Sequence, residues 1–249
     1  MRILSSAYSD VGRRSNNEDC HLAAPELGLF AVADGMGGYE GGEVASHLAI
    51  DTLRDFFQRH HDDKDATFPF KLDRALTLDE NMLCAAVRLA HRAIAARRSG
   101  RLHAMGSTVA AVFLDAAAAR ATIGHVGDSR IYRLRDGTLE PLTRDHSLYE
   151  EVRAAGLHSG SKKDFAYPNV ITRALGLGDK SEPEVTTVAV KPGDLFLICS
   201  DGLTEPLDDS TLLEALRGAE AAEAAQLLVE AAFSAGSRDN ITAVVLQVV

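Results

Sequence analysis

Three apolar runs in this chain end in acidic turns, and a fourth begins at one. GLFAVA (28–33) runs into Asp34-Gly35-Met36-Gly37-Gly38, ATIGHV (121–126) into Gly127-Asp128-Ser129, and LFLIC (195–199) into Ser200-Asp201-Gly202. Arg238-Asp239-Asn240 immediately precedes ITAVVLQVV (241–249). Short apolar runs bounded by Gly or Asn turns read as buried strands whose ends reach the surface. Any one of these aspartates is an ordinary turn former. Gathered at several strand ends with little basic charge beside them, they repel one another unless cations sit between them. That is the outline of a hard-metal site and of chemistry on an anionic substrate.

The elements between these runs are grouped. A helix is expected over about 41–58, where Ala45, Leu48, Ala49, Thr52, Leu53 and Phe56 share one face. A second is expected over about 78–98, opened by the capping-box spacing Thr77-Leu78-Asp79-Glu80. The polar stretch 60–73, with Pro69, reads as the loop between them. Strands follow at 107–114, 121–126 and 130–135, then at 138–142 after an Asp136-Gly137 hairpin turn. Residues 147–168 are polar and irregular apart from a short helical stretch over 148–155. Strands at about 185–190 and 194–199, helices at about 209–217 and 220–234, and a strand over 241–248 complete the chain. Grouped rather than alternating elements favour an antiparallel α+β layering over a doubly wound sheet.

Composition excludes several classes. With 26 Lys+Arg against 36 Asp+Glu the net charge is −10, the wrong sign for non-specific nucleic-acid or anionic-membrane binding. No apolar stretch approaches a membrane span, and the N-terminal residues lack a signal-peptide core, so a cytoplasmic protein is expected. Cys20, Cys84 and Cys199 have no zinc spacing and suit a reducing compartment. An acidic protein acting on an anionic group needs local help from bound divalent ions and placed arginines.

The glycine-rich segment 35–42 fits neither a dinucleotide fingerprint, because position 40 is Glu, nor a P-loop, because Gly-Lys-Ser/Thr is absent. Its glycines let the backbone fold back after Asp34 and expose the Gly35 carbonyl as a hard-ion ligand beside a carboxylate. The alternative is an ordinary helix-entry loop. In Arg14-Ser15-Asn16-Asn17-Glu18-Asp19 a guanidinium sits close to two acids. It can grip a phosphoryl group bidentately or close a surface salt-bridged turn. No GxSxG elbow occurs, His125, His60 and His61 read as structural or solvated, and His146 is a functional candidate that reads first as a turn residue.

Taken in order, RSNNED (14–19), FAVADGMGG (30–38), GSTVAAV (106–112), GHVGDSRIYRL (124–134), TRDHS (143–147), NVITRALG (169–176), GDLFLICSDGLTE (193–205) and SRDNITAVVL (237–246) resemble the metal-dependent Ser/Thr protein phosphatases of type 2C in their compact bacterial form. The resemblance implies a four-layer α/β/β/α sandwich, two antiparallel sheets flanked by helix pairs, as one catalytic domain over 1–249 with a flap at about 147–168. It implies that Asp34 bridges two Mn²⁺ or Mg²⁺ ions and the Gly35 carbonyl completes one of them. Asp201 and Asp239 hold the other ion, Glu18 and Asp19 lie beside the pair, and Arg14 grips the phosphate. Asp128 matches a position that helps bind a third, weaker metal. The implied reaction is attack by a metal-bridging hydroxide on phosphoserine or phosphothreonine of phosphorylated proteins. The protein then opposes a bacterial Ser/Thr kinase as a monomer.

Three departures stand out. The spacing from Gly12 is one residue short, so Arg13 competes with Arg14, although Arg14 keeps the register to Asp19. Met36 replaces a histidine of some eukaryotic members, and the flap lacks much of the usual sequence. A regulatory module without catalysis and a phosphatase of small metabolites are the competing readings.

Overall fold

The computed structural model describes residues 1–38, 41–63, 65–178 and 182–249. Tyr39 and Glu40 of the glycine-rich segment, and Lys64 of the inter-helix loop, lie outside them. Among the described residues, eleven strands form two antiparallel sheets: β1 (Ile3–Asp10), β2 (Asp19–Ala24), β3 (Leu29–Met36), β4 (Gly106–Ser107), β5 (Val109–Asp115), β6 (Arg120–Val126), β7 (Arg130–Arg135), β8 (Thr138–Pro141), β9 (Glu184–Ala189), β10 (Leu195–Cys199) and β11 (Ile241–Val248). One sheet runs β1-β11-β10-β7-β8; the other runs β2-β3-β5-β6-β9, with β4 beside β3. The helices are α1 (Gly41–Asp62), α2 (Leu78–Arg97), α3 (Leu148–Ala154), α4 (Asp201–Thr204), α5 (Asp209–Gly218) and α6 (Ala224–Ser234).

Side-chain alternation explains the layering. Along β3, Phe30 and Val32 enter a core between the sheets, whereas Leu29, Ala31 and Ala33 face α1 and α2. Along β10, Phe196 and Ile198 join the inter-sheet core while Leu195, Leu197 and Cys199 pack with α5 and α6. Along β11, Val244 and Leu246 face inward and Ala243 and Val245 face the helices. Strands buried on both faces must be apolar at every position, which is why their sequences read as continuous runs rather than as alternating ones. Burying a side chain such as Phe30 or Phe196 stabilises by roughly 1.5–3 kcal/mol. The expected α/β/β/α sandwich is the fold observed.

Thr77 caps α2 as its spacing predicts: its hydroxyl accepts from the Glu80 amide at 3.2 Å, and Glu80 Oε2 accepts from the Thr77 amide at 2.8 Å. Helix α1 continues a turn beyond the expected end at 58, with Phe56 and Phe57 packed in the core. The helix expected over 220–234 begins only at Ala224, after a turn. Three strands and one helix were not legible, the two-residue β4 being a separate pairing with β3 ahead of the strand expected over 107–114. Strand β1, ILSSAYSD, is a half-buried edge whose register comes from β11, Ile3 opposite Val248 and Asp10 opposite Ile241. Strand β2, DCHLAA, is another mixed edge strand, and α4 is a single turn.

Candidate metal centre

The acidic turns converge at one end of the sandwich. A cleft of about 610 Å³ is lined by Arg14, Glu18, Asp34, Gly35, Asp128, Asp201 and Asp239, with Met36 and Asn240 among their neighbours. Asp19 does not line it. It is buried beneath, directly opposite Asp34 in the β2–β3 ladder. Like charges in that cross-strand position destabilise a sheet unless something neutralises them.

Each side chain is positioned by its element. Asp34 sits near the end of β3, where its amide donates to Thr108 Oγ1 at 2.9 Å and its carbonyl accepts from the Thr108 amide at 2.8 Å. Thr108 in turn shares a 2.7 Å hydrogen bond with Ser129, beside Asp128. Asp201 is the first residue of α4, immediately after β10. Asp239 precedes β11, and its Oδ2 accepts from Arg14 Nη2 at 2.6 Å. The Arg13 guanidinium lies 5.9 Å from the Phe233 ring centroid, so Arg14 is the arginine at the cleft.

The chain approaches itself closely here. A Cβ on Gly35 would stand 2.0 Å from the Gly42 carbonyl oxygen, so only glycine lets β3 and the start of α1 meet. Gly12, at φ +61°, would place a Cβ 2.0 Å from the carbonyl oxygen of Asp239.

Sequence reasoning missed Asn240. Its Nδ2 donates to the Val11 and Asn16 carbonyls, both at 2.9 Å, and its Oδ1 accepts from the Glu18 amide at 2.8 Å. It clamps the Arg14–Glu18 segment onto the base of β11. An asparagine beside an aspartate in a turn gave a signal, but its partners lie more than 200 positions away in sequence.

Electrostatics show what the cradle lacks. Burial, then the charges of Asp19 and Asp201, push the Asp34 carboxyl well above the usual carboxylate range. Burial, then Asp128 and Asp239, do the same to Asp201. Asp19 is pushed up to about 6 by burial, against the lowering effect of hydrogen bonds from Thr242 and Ser200 to its Oδ2. Its Oδ1 is buried without a hydrogen-bond partner among the described residues. Glu18, Asp19, Asp34, Asp128, Asp201 and Asp239 carry −6 when ionised and Arg14 returns +1, leaving −5. Two divalent cations offset most of that excess, and carboxylates with a backbone carbonyl are the donors hard ions prefer. The residues present therefore fit such a pair.

The TRDHS segment supports the site from outside it. Asp145 makes a paired ion contact with Arg130, its oxygens 2.8 Å from Nε and Nη2. His146 Nδ1 accepts from the Gly127 amide at 3.1 Å, fixing the turn before Asp128, and Ser147 caps α3. His146 stacks on His125 at 4.5 Å and contacts Glu184 Oε1 at 3.0 Å. Those three side chains could gather a metal ion, but Arg173 already occupies the space, 2.9 Å from His146 Nε2 and 3.1 Å from Glu184. The expected turn role of His146 accounts for these contacts.

Burial pushes the thiols of Cys20 and Cys84 up to about 11 and that of Cys199 up to about 12, so none is an activated nucleophile. Among the described residues no helix is long and apolar enough to cross a membrane.

Comparison with known proteins adds an independent line. A family profile described as protein phosphatase 2C matches residues 8–235. The serine/threonine protein phosphatase PstP of Mycobacterium tuberculosis is 40% identical over 249 residues, covering 98% of this chain and 45% of that protein. The chain thus spans about half the length of that relative. The serine/threonine phosphatase stp of Listeria welshimeri is 33% identical over 225 residues, covering 88% of this chain and 84% of its own. A crystal structure of the catalytic domain of PstP in complex with two manganese ions superposes with a TM-score of 0.82 at 38% identity, covering 99% of this chain and 98% of that one.

Proposed function

This chain belongs to the protein phosphatase 2C family, and we propose that it is a metal-dependent phosphatase of phosphoserine and phosphothreonine in proteins. The observation that carries the reading is the cradle of net charge −5 with one arginine at its rim. Asp34 and the Gly35 carbonyl would hold one divalent ion, with Asp34 shared by a second that Asp201 and Asp239 complete. Glu18 would close the rim and Asp19 would support the pair from beneath. Mn²⁺ and Mg²⁺ both suit these oxygen donors, and the manganese pair of the PstP structure favours Mn²⁺ for a first experiment. Such ions, when bound, supply Lewis acidity to phosphoryl oxygens and lower the pKa of water.

The protein's own groups do the rest. Asp239 holds Arg14 through one nitrogen, Nη2, and among the described residues no other acceptor engages this half-exposed guanidinium on the cleft wall. A phosphate there meets a fork already oriented, so less side-chain entropy is lost on binding. Asn240 keeps Arg14 and Glu18 in register with Asp239. Met36, on the cleft wall, supplies no proton for the leaving group.

The reading extends to one catalytic domain over residues 1–249, with the flap at about 147–168. It includes a weaker third ion at Asp128, monomeric action, and opposition to a Ser/Thr kinase in the cytoplasm, where unpaired cysteines are at home. Phosphate release from a phosphothreonine peptide, with Mn²⁺ and then with chelator, tests it. Release that depends on Mn²⁺ supports the reading. Inert metal-loaded protein, or release indifferent to chelator, defeats it. A preference for small phosphate esters over the peptide would move the substrate class to metabolites.

A further inference from the structure

Arg13 has no part in the metal centre, yet the structure fixes it in place. Residues 11–14 form a tight turn, closed by the Arg14 amide donating to the Val11 carbonyl at 3.3 Å. Gly12, at φ +61°, brings that turn against the Asp239 carbonyl, and its amide donates to Asp10 Oδ1 at 2.7 Å. Asn240 Nδ2 ties down the Val11 carbonyl at 2.9 Å. The turn ends in two consecutive arginines that diverge. Arg14 lines the cleft, whereas Arg13 stands just outside it, its guanidinium over the ring of Phe233 on α6, 5.9 Å from the centroid.

Phe233 is 43% exposed, and the face of such a ring attracts a guanidinium without neutralising it. Among the described residues no carboxylate pairs with Arg13, since Asp10 is turned to the Gly12 amide. Arg238, on the loop that the turn touches, is exposed and is also unpaired among the described residues. In a chain of net charge −10 these two cations beside Arg14 make a local patch of the opposite sign. A guanidinium seated on an apolar ring offers its donors to an anion at a low cost in side-chain entropy.

Resting on the phosphatase reading above, we infer that Arg13 is a specificity residue: seated on Phe233, it takes an anionic side chain of the substrate two residues from the phosphoserine or phosphothreonine that Arg14 grips. In an extended segment, side chains two residues apart point the same way, roughly 7 Å from each other. Of the two such neighbours, the one on the α6 side of the cleft meets Arg13.

The test is steady-state kinetics with Mn²⁺ on three phosphothreonine peptides of otherwise uncharged sequence. One has Glu two residues before the phosphothreonine, one has Glu two residues after it, and one has Gln at both places. In wild type one Glu peptide should have a KM roughly 3- to 5-fold below that of the Gln peptide, the effect of one exposed but oriented ion pair, with kcat little changed. The advantage should fade in about 0.5 M NaCl. Arg13→Met, checked for folding by circular dichroism, keeps an apolar stem on Phe233 and loses the charge. It should turn over the Gln peptide as wild type does and lose the Glu preference. Arg59→Met is the charge control, because Arg59 lies in the last turn of the 22-residue α1, far beyond a screening length from the helix start beside the cleft, and it should keep the preference. Equal KM for the three peptides, an equal gain from both Glu positions, a preference retained by Arg13→Met, or one lost in Arg59→Met overturns the inference and leaves the metal reading standing. Loss of Gln-peptide turnover in folded Arg13→Met would place Arg13 in the phosphate grip and also overturn it. Absence of Mn²⁺-dependent release from every peptide overturns the phosphatase reading itself, and this inference falls with it.

Discussion

Replacing Asp19 by Asn should stabilise the metal-free protein at neutral pH while weakening its response to metal. Asp19 is buried opposite Asp34, its Oδ2 held by Ser200 and Thr242 at 2.8 and 2.7 Å and its Oδ1 unpartnered among the described residues. Its carboxyl is raised from 3.8 to about 6. Because the folded value lies above the unfolded one, the associated stability is fully present below about 3.8 and is lost as pH rises through about 6. A difference of about 2 units is worth about 3 kcal/mol. An asparagine can still accept both hydroxyls through Oδ1 and never ionises, so the mutant keeps that stability at about pH 8. The assay is urea denaturation in chelator across roughly pH 4 to 8, taken as mutant minus wild type. His21, His125 and His146, each lowered chiefly by burial, titrate in part of the same window with the opposite sign. They are common to both proteins and cancel in the difference. The difference should grow in the mutant's favour by about 2–3 kcal/mol over that range, or about 4–12 °C in Tm for a domain of this size. Added Mn²⁺ should then raise the Tm of wild type more than that of the mutant. A difference independent of pH, or one moving against the mutant as pH rises, would refute the claim that unneutralised carboxylates strain the metal-free cradle.

Other substitutions separate positioning from charge. Asp239→Ala should lower Mn²⁺-dependent phosphate release about 100-fold or more while the protein stays folded, read by turnover and thermal melting together. Wild-type turnover would remove Asp239 from the site. Arg14→Lys loses the fork that Asp239 orients, and kcat/KM for a phosphopeptide should fall about 10- to 100-fold. Unchanged kcat/KM would leave Arg14 a surface partner of Asp239 and nothing more. Gly12→Ala forces a Cβ onto the Asp239 carbonyl at φ +61°. It should cost at least about 1–2 kcal/mol and raise the Mn²⁺ concentration needed for activity, which a denaturant titration and a metal titration check.

Much of this was legible because the chemistry sits where the sequence signal is strongest. Asp34 lies near the end of β3, and Asp201 and Asp239 flank β10 and β11; these strands are buried on both faces, so their apolar runs point straight to the site. Strands β1 and β2 were not legible, because edge strands with Ser5, Ser6 and His21 carry no clear period and depend on partners supplied by tertiary structure. Asn240 and Thr108 were overlooked for a related reason: their work is hydrogen bonding between segments distant in sequence. The pairing of Asp145 with Arg130 beside Asp128 was hidden as well, since it joins the turn ahead of the flap to β7 and no periodicity predicts it. Arg14 over Arg13 was a register argument, and the geometry now gives it a physical basis in the Asp239 contact.

The most direct test of the cradle is to count Mn²⁺ bound tightly per chain by equilibrium dialysis, measuring phosphate release on the same samples. Wild type should hold two tightly bound ions, which offset most of the cradle's charge of −5, and release phosphate only when they are present. Asp34→Asn should lose tight binding and turnover together. An Asp34→Asn protein that kept both ions, or wild-type turnover with no ion bound, would contradict the assignment of the acidic strand ends to a two-metal site.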